Sequence, residues 1–250
     1  MTCAIDILNL SFSYGSFSIK NINTELHQCE HKALIGPNGS GKTTLFRLLV
    51  GLLRPASGEI YVNERLLTDE SLWEIRKDIG FLFQNPEDQL FAPTVWEDVA
   101  FGPRNLGLPD DEVQQRVRDA LHFVGMDGFE HRPINSMSYG QAKRVALAGI
   151  LAMRPRILLL DEPFDGLDFP MTRVLAGMMR VLREQGVSVL FTTHNRFFVE
   201  NWADSVVALR DGEVIFDGPV KHALQDPNVI EILGDWDSLR GELQRSRICY

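Results

Sequence analysis

Short apolar runs, separated by glycines, prolines and polar residues, recur along the chain in the manner of buried strands. Stretches with helical periodicity lie between several of these runs, as at residues 42–49 and 142–153. Strands that alternate with helices predict an α/β fold in which a mostly parallel sheet is covered on both faces. The runs predicted as strands are residues 4–8, 17–22, 32–35, 59–62, 79–83, 157–160, 187–192 and 206–209.

The segment between residues 85 and 153 differs from its surroundings, because helical patterns dominate it and prolines interrupt them. Thr94 and Glu97 have the spacing of a capping box, which predicts that a helix starts there. A second helix is predicted over residues 110–124. The expected organisation is a core of residues 1–84 and 154–222 with an N-terminal antiparallel β portion, an inserted helical subdomain at 85–153 and a tail at 223–250.

The charge of the chain narrows the class of partner. Its 34 acidic and 25 basic residues give a formal net charge of −9. A general nucleic-acid binder usually has a basic excess, so no nucleic-acid partner is expected. The charge does not exclude a small phosphorylated ligand, because a few local donors can neutralise phosphates. Three widely spread cysteines (Cys3, Cys29 and Cys249) define no disulfide framework and suit a reducing compartment.

Neither a secretion signal nor a membrane span is expected. Residues 1–10 include Asp6 and Asn9 and lack the basic start and long apolar stretch of a signal peptide. The longest apolar runs, such as residues 145–153, are much shorter than the roughly 18 residues that suggest a membrane helix. If a membrane is involved, we expect this chain to reach it through a partner.

A glycine-rich segment at residues 36–43 fits the pattern G-x-x-x-x-G-K-[ST] at every position. Its glycines let backbone N–H groups converge on phosphates, and the positive end of the following helix points at them. Lys42 is expected to reach the β- and γ-phosphates of ATP, and the Thr43 hydroxyl to ligate Mg²⁺. An ordinary glycine-rich turn is the alternative. The predicted phosphate-binding residues are Gly36, Asn38, Gly39, Ser40, Gly41, Lys42, Thr43 and Thr44.

Two acids, Asp161 and Glu162, end the apolar run 157–160. Carboxylates at the end of a buried strand are costly without a cation or hydrogen bonds. Asp161 is suited to hold Mg²⁺ through water, and Glu162 to polarise the water that attacks the γ-phosphate. Alone, such a pair is often structural, but the phosphate-binding loop upstream favours the catalytic interpretation.

Two further polar residues follow predicted strands, at the sheet edge where ligands sit in open α/β folds. His194 follows the strand 187–192, and we interpret it as a sensor of the γ-phosphate rather than a structural histidine. Gln84 follows the strand 79–83, where its side-chain amide would contact both Mg²⁺ and water. The spacing alone leaves the functional and structural interpretations of Gln84 equally open.

Ser138 and Gln141 have capping-box spacing before the helical pattern 142–153. The simplest interpretation is a well-capped helix. The functional alternative is that this helix start binds a phosphate. Because the chain already has a phosphate-binding loop, a second phosphate site suggests that the segment serves the ATP of a partner chain.

Taken in order, these motifs resemble those of the ABC-transporter ATPases. The resemblance covers roughly residues 4–222 and involves residues 36–43, Gln84, 137–141, 157–162, 165–168 and His194. It implies ATP hydrolysis with Mg²⁺ in a head-to-tail dimer, where Ser138, Gly140, Gln141 and Asp168 of one subunit complete the site of the other. It also implies that Tyr14 stacks on adenine, unless Tyr14 is an ordinary strand aromatic, and that the dimer drives a membrane partner from the cytoplasmic face.

The segment 137–141 departs from the family's commonest Leu-Ser-Gly-Gly-Gln at two positions. Met137 replaces leucine conservatively, whereas Tyr139 replaces a glycine. Ser138, Gly140 and Gln141 are still present to contact phosphate. We therefore expect ATPase activity to survive this departure.

A narrower resemblance links residues 83–91, 95–103 and 143–149 to the ATPases of energy-coupling-factor importers. The resemblance implies import of cobalt or nickel ions as the first choice, and of biotin or another vitamin as the alternative. A homodimer is favoured. Leu90, Phe91 and Trp96 would form a docking patch for integral membrane subunits, or else belong to the core of the subdomain. The rival class, a soluble ABC ATPase acting on DNA or ribosomes, predicts a coiled-coil insertion, a second ATPase domain or a basic face, and none is evident.

His27, Cys29 and His31 alternate along the sequence and would share one face of a strand, as metal ligands can. The segment lies at a strand turn just before the phosphate-binding loop. The ATPase of the resembled family does not carry the imported ion. We therefore expect no metal site from these three residues.

Overall fold

The computed structural model describes residues 2–15 and 17–234, apart from the side chain of Pro170. Most of the predicted tail, including Trp236, lies outside the described residues.

A six-stranded sheet forms the centre of the molecule. Its strand order is β10-β9-β3-β8-β7-β6, and all neighbours are parallel except β10 and β9. Parallel strands require crossover connections, and the helices between the strands supply them. The strands are β3 (His31–Ile35), β6 (Ile79–Leu82), β7 (Ile157–Leu160), β8 (Ser188–Thr192), β9 (Ser205–Arg210) and β10 (Glu213–Pro219).

A second, antiparallel sheet contains the N-terminal strands in the order β2-β1-β4-β5. Its longest pairing joins β1 to β2, with Tyr14 opposite Phe17 at the hairpin end and Cys3 opposite His27 at the other end. The strands are β1 (Cys3–Tyr14), β2 (Phe17–His27), β4 (Ser57–Val62) and β5 (Arg65–Leu66). This sheet is the N-terminal antiparallel portion that the sequence predicts.

The helices connect and cover the sheets. They are α1 (Lys42–Leu49), α2 (Leu72–Asp78), α3 (Val95–Asn105), α4 (Asp110–Phe123), α5 (Tyr139–Leu151), α6 (Phe169–Glu184), α7 (Arg196–Trp202), α8 (Val220–Ala223) and α9 (Pro227–Leu233). Short 3₁₀ helices occur at Pro86–Asp88 and Ile134–Ser136. The Thr94 hydroxyl accepts a hydrogen bond from the Glu97 N–H at the start of α3, so the predicted cap is confirmed.

The central sheet is buried on both faces, because successive residues of each strand point to opposite sides. Leu158 and Leu160 of β7 join one apolar cluster, which also contains residues of α3, α4 and α5. Ile157 and Leu159 join the other cluster, together with α1 and the antiparallel sheet. The α/β architecture predicted from the sequence is confirmed.

Helices α3, α4 and α5 lie in the chain between β6 and β7, where the sequence places the helical subdomain. Their buried residues share an apolar cluster with the sheet, and the division into two lobes stays a prediction. The predicted boundary at residues 222/223 falls inside α8. Packing also continues beyond it, since Val229 and Leu233 of α9 are buried in the same cluster.

Candidate active site

The glycine-rich loop leaves the end of β3 and turns directly into α1. A Cβ at position 36 would lie 2.3 Å from the Leu209 carbonyl oxygen, so only glycine fits there. Gly41 caps α1 at φ 110°, a conformation that side chains rarely adopt. The Lys42 Nζ folds back over the loop and donates to the carbonyl oxygens of Gly36 at 2.7 Å and Pro37 at 3.2 Å. Burial lowers the pKa of this amine.

A hydroxyl–carboxylate pair lies beside the loop. The Thr43 Oγ1 donates to Asp161 Oδ2 at 2.7 Å, and the Thr192 Oγ1 donates to Asp161 Oδ1 at 2.7 Å. Asp161 is therefore held by one hydroxyl from α1 and another from the end of β8. Paired oxygen donors of this kind are the ligands that hard cations such as Mg²⁺ prefer.

The Glu162 carboxylate is buried next to an imidazole. His194 Nε2 lies 2.9 Å from Glu162 Oε1, but the contact lacks hydrogen-bond alignment, and Oε1 has no hydrogen-bond partner among the described residues. Burial and the charge of Asp165 raise the pKa of Glu162 to about 7. Burial and the charge of Lys42 lower the pKa of His194. Near neutral pH, the site therefore holds a carboxylate poised to take a proton next to a neutral imidazole.

These groups surround one cavity of about 430 Å³. Its lining consists of Phe17, Asn38, Gly39, Gly41, Lys42, Thr43, Thr44, Gln84, Asp161, Glu162, Asp165 and His194. The structure thus brings together most of the residues that the sequence predicts for one site. Gly36 and Ser40 belong to the loop without lining the cavity.

Tyr14 does not line this cavity, and its side chain is 80% exposed at the end of β1. Its cross-strand partner Phe17 lines the cavity instead, and the Phe17 ring lies 3.1 Å from where a Cβ on Gly41 would be. The predicted stacking of Tyr14 on adenine stays a prediction.

The residues expected to act on a partner's nucleotide lie outside the cavity. Gln141 N–H donates to Ser138 Oγ at 3.3 Å, and Ser138 N–H donates to Gln141 Oε1 at 2.9 Å, so the predicted capping box of α5 is confirmed. Asp168 caps α6 by accepting from the Met171 N–H at 2.9 Å. Ser138 and Asp168 are exposed, and Gly140 is half-buried.

Two residues that hydrogen-bond to the acidic segment of the site were not predicted from the sequence. The buried Lys143 Nζ donates to the carbonyl oxygens of Glu162 at 2.6 Å and Asp165 at 3.1 Å, and burial lowers its pKa to about 8. Thr192 accepts from the Glu162 N–H at 2.6 Å while it donates to Asp161. A lysine on a largely apolar helix, next to Arg144, and a threonine at the end of a buried strand were the available signals.

Tyr139 connects three segments around the site. Its hydroxyl donates to the Gln84 carbonyl oxygen at 3.1 Å. A Cβ on Gly166 would lie 2.7 Å from its ring, and Lys143 Nζ lies 5.6 Å from the ring centroid. The aromatic ring therefore fills space between the start of α5 and the segment that follows β7.

Fold and site together define a P-loop ATPase domain. Residues 19–165 match the family described as ABC transporter, and the chain belongs to that family. The resemblance drawn from the motifs is thereby confirmed, as is ATP hydrolysis as the activity.

Two similar proteins are named as ATP-binding proteins of energy-coupling factor transporters. The chain is 46% identical over 233 residues to the energy-coupling factor transporter ATP-binding protein EcfA of Methanothermobacter thermautotrophicus, covering 90% of this chain and 74% of that protein. It is 40% identical over 271 residues to EcfA of Methanocaldococcus jannaschii, covering 98% of this chain and 97% of that protein.

Solved structures show the same fold. CbiO1 from Clostridium perfringens, part of the ABC transporter complex CbiONQ, is 34% identical with a TM-score of 0.79, covering 98% of this chain and 100% of that one. A dimeric ATP-binding cassette in a post-hydrolysis state, bound to ADP and Pi, is 29% identical with a TM-score of 0.76, covering 86% of this chain and 98% of that one.

The described residues were also compared with the requirements for a membrane span. Within 2–15 and 17–234, no helix is both long enough and apolar enough to cross a membrane.

Proposed function

We propose that this chain is the ATP-hydrolysing subunit of a membrane importer for cobalt or nickel ions. The observation that carries the proposal is the similarity, over nearly the whole chain, to EcfA proteins and to CbiO1 of the CbiONQ complex. The resemblance of residues 83–91 and 95–103 to the ATPases of energy-coupling-factor importers supports it. Import of biotin or another vitamin is the alternative within the same class.

ATP is held by the loop at residues 36–44. Lys42 exchanges the carbonyl oxygens of Gly36 and Pro37 for the β- and γ-phosphates when nucleotide binds. Thr43 and Asp161, together with Gln84, provide the oxygen donors for Mg²⁺, which would neutralise charge on the phosphate oxygens. The Thr192 hydroxyl keeps Asp161 oriented toward this position.

Hydrolysis requires a base that faces the γ-phosphate. Glu162 supplies it, because this residue lines the cavity and its buried Oε1 has no hydrogen-bond partner among the described residues. Its carboxylate takes a proton from the attacking water, and a pKa raised to about 7 suits that task near neutral pH. The neutral imidazole of His194, 2.9 Å from Glu162 Oε1, is placed to contact the γ-phosphate.

The site is completed by a second copy of the chain. The start of α5, with Ser138, Gly140 and Gln141, and Asp168 at the start of α6 would reach the partner's nucleotide. Ser138 and Asp168 are exposed and outside the cavity of their own chain, as this arrangement requires. The first turn of α5 offers backbone N–H groups and the positive end of a 13-residue helix to the phosphates.

Membrane subunits are proposed to dock on a pair of phenylalanines, one in the segment before α3 and one on α3 itself. Phe91 and Phe101 are 64% and 47% exposed, and their rings meet edge to face at 4.7 Å. The buried Asp98 carboxylate accepts from the Phe91 N–H at 3.0 Å, which fixes the segment. Leu90 and Trp96 instead pack partly buried against the core, so Phe91 and Phe101 form the docking patch.

The rival class, a soluble ABC ATPase acting on DNA or ribosomes, has less support. Within residues 2–15 and 17–234 the longest helix is the 16-residue α6, which is too short for a coiled-coil insertion. The net charge of −9 also disfavours a nucleic-acid partner.

The proposal is tested by purifying the chain with its membrane subunits and reconstituting them in vesicles. Uptake of radiolabelled Co²⁺, Ni²⁺ and biotin is measured with internal or external ATP as the orientation requires, with the Glu162→Gln complex as the matched control. ATP-dependent uptake of Co²⁺ or Ni²⁺ that the control lacks supports the proposal. Uptake of biotin alone favours the vitamin alternative, and ATP hydrolysis stimulated by DNA or ribosomes, without membrane partners, would contradict an importer.

A further inference from the structure

A cysteine, a glutamate and a histidine converge on the outer face of the antiparallel sheet. The β1–β2 pairing places Cys3 opposite His27, and Glu25 lies two positions before His27, hence on the same face. Cys3 Sγ lies 3.1 Å from Glu25 Oε2 and 3.7 Å from His27 Nδ1, and His27 Nε2 lies 3.6 Å from Glu25 Oε1. One ligand atom from each residue lies within 4.8 Å of the other two.

This cluster differs from the set His27, Cys29 and His31, which alternates along the sequence. Cys29 lies in the turn after β2 at φ 62°, and His31 is 1% exposed in the central sheet. The strand turn therefore separates the two from His27. The cysteine of the cluster is instead Cys3, on the neighbouring strand β1. The spacing of residues along the sequence does not single it out.

The spacing fits tetrahedral coordination of a divalent transition metal. Metal–sulfur bonds of about 2.3 Å and metal–nitrogen or metal–oxygen bonds of about 2.0–2.1 Å place adjacent ligand atoms about 3.3–3.6 Å apart. The observed distances of 3.1, 3.7 and 3.6 Å involve both oxygens of Glu25 and both ring nitrogens of His27. With one ligand atom from each residue, the three atoms lie within 4.8 Å of one another. Side-chain rotations would bring one ligand atom from each residue onto a single ion.

The strands that carry the cluster pack on buried side chains, and the cluster itself is accessible from solvent. Ala4 and Leu26, beneath the cluster, are buried, and Lys32 Nζ donates to the Glu25 carbonyl oxygen at 2.8 Å. The cluster itself is partly exposed, and Cys3 also lines a surface groove whose carboxylates, those of Asp6 and Glu64, attract cations. Three protein ligands leave a fourth position for water.

We propose that Cys3, Glu25 and His27 form a binding site for one divalent transition-metal ion of the Zn²⁺, Co²⁺ and Ni²⁺ group. A thiolate, an imidazole and a carboxylate select such borderline ions over Mg²⁺ and Ca²⁺, which take oxygen ligands. On binding, the thiol S–H bond breaks, its proton goes to solvent and a sulfur–metal bond forms without redox change.

The site is remote from the nucleotide. Phe17, which lines the active-site cavity, and His27 are the two ends of the 11-residue strand β2, roughly 33 Å apart at about 3.3 Å per residue. The ion would clamp the open ends of β1 and β2. The inference does not rest on the proposed transport function, because metal binding is measured on the chain alone.

The test uses the full chain, with any polyhistidine tag removed, in a Cys29→Ser/Cys249→Ser background that leaves Cys3 as the single thiol. Co²⁺ is titrated while thiolate-to-cobalt charge-transfer absorption is recorded, and Zn²⁺ binding is followed by calorimetry. We expect one ion per chain, with Cys3→Ser abolishing the absorption band and Cys3→Ser or His27→Gln weakening Zn²⁺ binding at least tenfold.

Two readouts keep the result interpretable. Unchanged Mg²⁺-ATPase activity and an unchanged metal-free melting temperature in Cys3→Ser show that the variant is folded. Saturating Zn²⁺ is expected to raise the melting temperature of the background chain but not of Cys3→Ser. Absence of the charge-transfer band in the background chain, or equal Zn²⁺ affinity in Cys3→Ser, overturns the inference.

Discussion

The Tyr139 hydroxyl donates a hydrogen bond to the Gln84 main-chain carbonyl oxygen at 3.1 Å. Tyr139 occupies a position where related ATPases most often have glycine. Gln84 lies two residues after the end of β6. The bond therefore ties the start of α5, proposed to serve a partner's nucleotide, to a residue that lines the chain's own cavity. A glycine at position 139 could not make this connection.

Tyr139→Phe tests the contribution of that bond. We expect the free energy of unfolding to fall by about 0.5–1 kcal/mol, since one partly exposed hydrogen bond is lost. ATPase kcat should stay within about threefold of the parent, because Ser138 and Gln141 remain. Urea unfolding and a phosphate-release assay check both values. Tyr61→Phe, which removes a hydroxyl bonded to the exposed Glu59 side chain, is the control and should leave stability unchanged.

Gly166→Ala tests the packing of the Tyr139 ring. The new Cβ would lie 2.7 Å from the ring, and Gly166 has φ 73°, so we expect a loss of about 1–3 kcal/mol in unfolding free energy. Gly177→Ala in α6 is the matched control, because nothing lies within 4 Å of its Cβ and alanine should stabilise the helix by up to about 1 kcal/mol. The Tyr139→Gly/Gly166→Ala double variant should lose less stability than the sum of the two single variants, and a purely additive double variant would contradict the ring contact.

The buried Glu162 makes the stability of the nucleotide-free protein depend on pH. Its pKa is about 7 in the folded chain, while an unfolded glutamate titrates near 4.3. As the pH rises through this window, the unfolded chain loses its proton first, so the contribution of Glu162 to stability falls and then levels above about 7. Glu162→Gln should therefore be more stable than the parent by about 1–3 kcal/mol at pH 8, with the difference vanishing near pH 4. Paired denaturant melts across pH measure it, and a pH-independent difference would rule out the raised pKa.

The same carboxyl predicts the pH dependence of hydrolysis. A base must be ionised to accept a proton, so kcat/KM for ATP should rise about tenfold per pH unit below pH 7 and level above it. Burial and the charge of Lys42 lower the pKa of His194 from its usual 6.5, so the inflection near pH 7 is assigned to Glu162. Steady-state kinetics from pH 5.5 to about 8.5 test this, and a profile flat between pH 5.5 and 7 would contradict Glu162 as the base.

Much of the site could be predicted because its chemistry is local in sequence. The loop at 36–44 and the pair Asp161 and Glu162 each follow a buried strand, and parallel strands bring their ends to one edge of the sheet. Lys143 and Thr192 could not be assigned in this way. Their hydrogen-bond partners lie 19 to 31 positions away, so only the folded chain shows that they hold Glu162 and Asp161.

Two strands of the fold were missed or predicted too short from the sequence pattern. Strand β10 was not among the predicted strands, because its apolar run, residues 214–216, is only three residues long. Strand β1 extends to Tyr14, beyond the predicted end at residue 8, because pairing with β2 supports its exposed half. The sequence also could not show that Tyr14 is exposed, whereas its cross-strand partner Phe17 lines the cavity.

The central claim is that each ATP site needs the loop of one chain and the Ser138 segment of another. Mixing a Lys42→Ala chain with a Ser138→Arg chain tests it most directly, since half of randomly formed dimers would carry one intact site. We predict that both variants are inactive alone and that the mixture regains about a quarter of the parent ATPase rate. Lys42→Ala mixed with a Lys42→Ala/Ser138→Arg chain is the control and should regain nothing. A mixture whose rate equals the mean of the two separate variants would contradict a shared site.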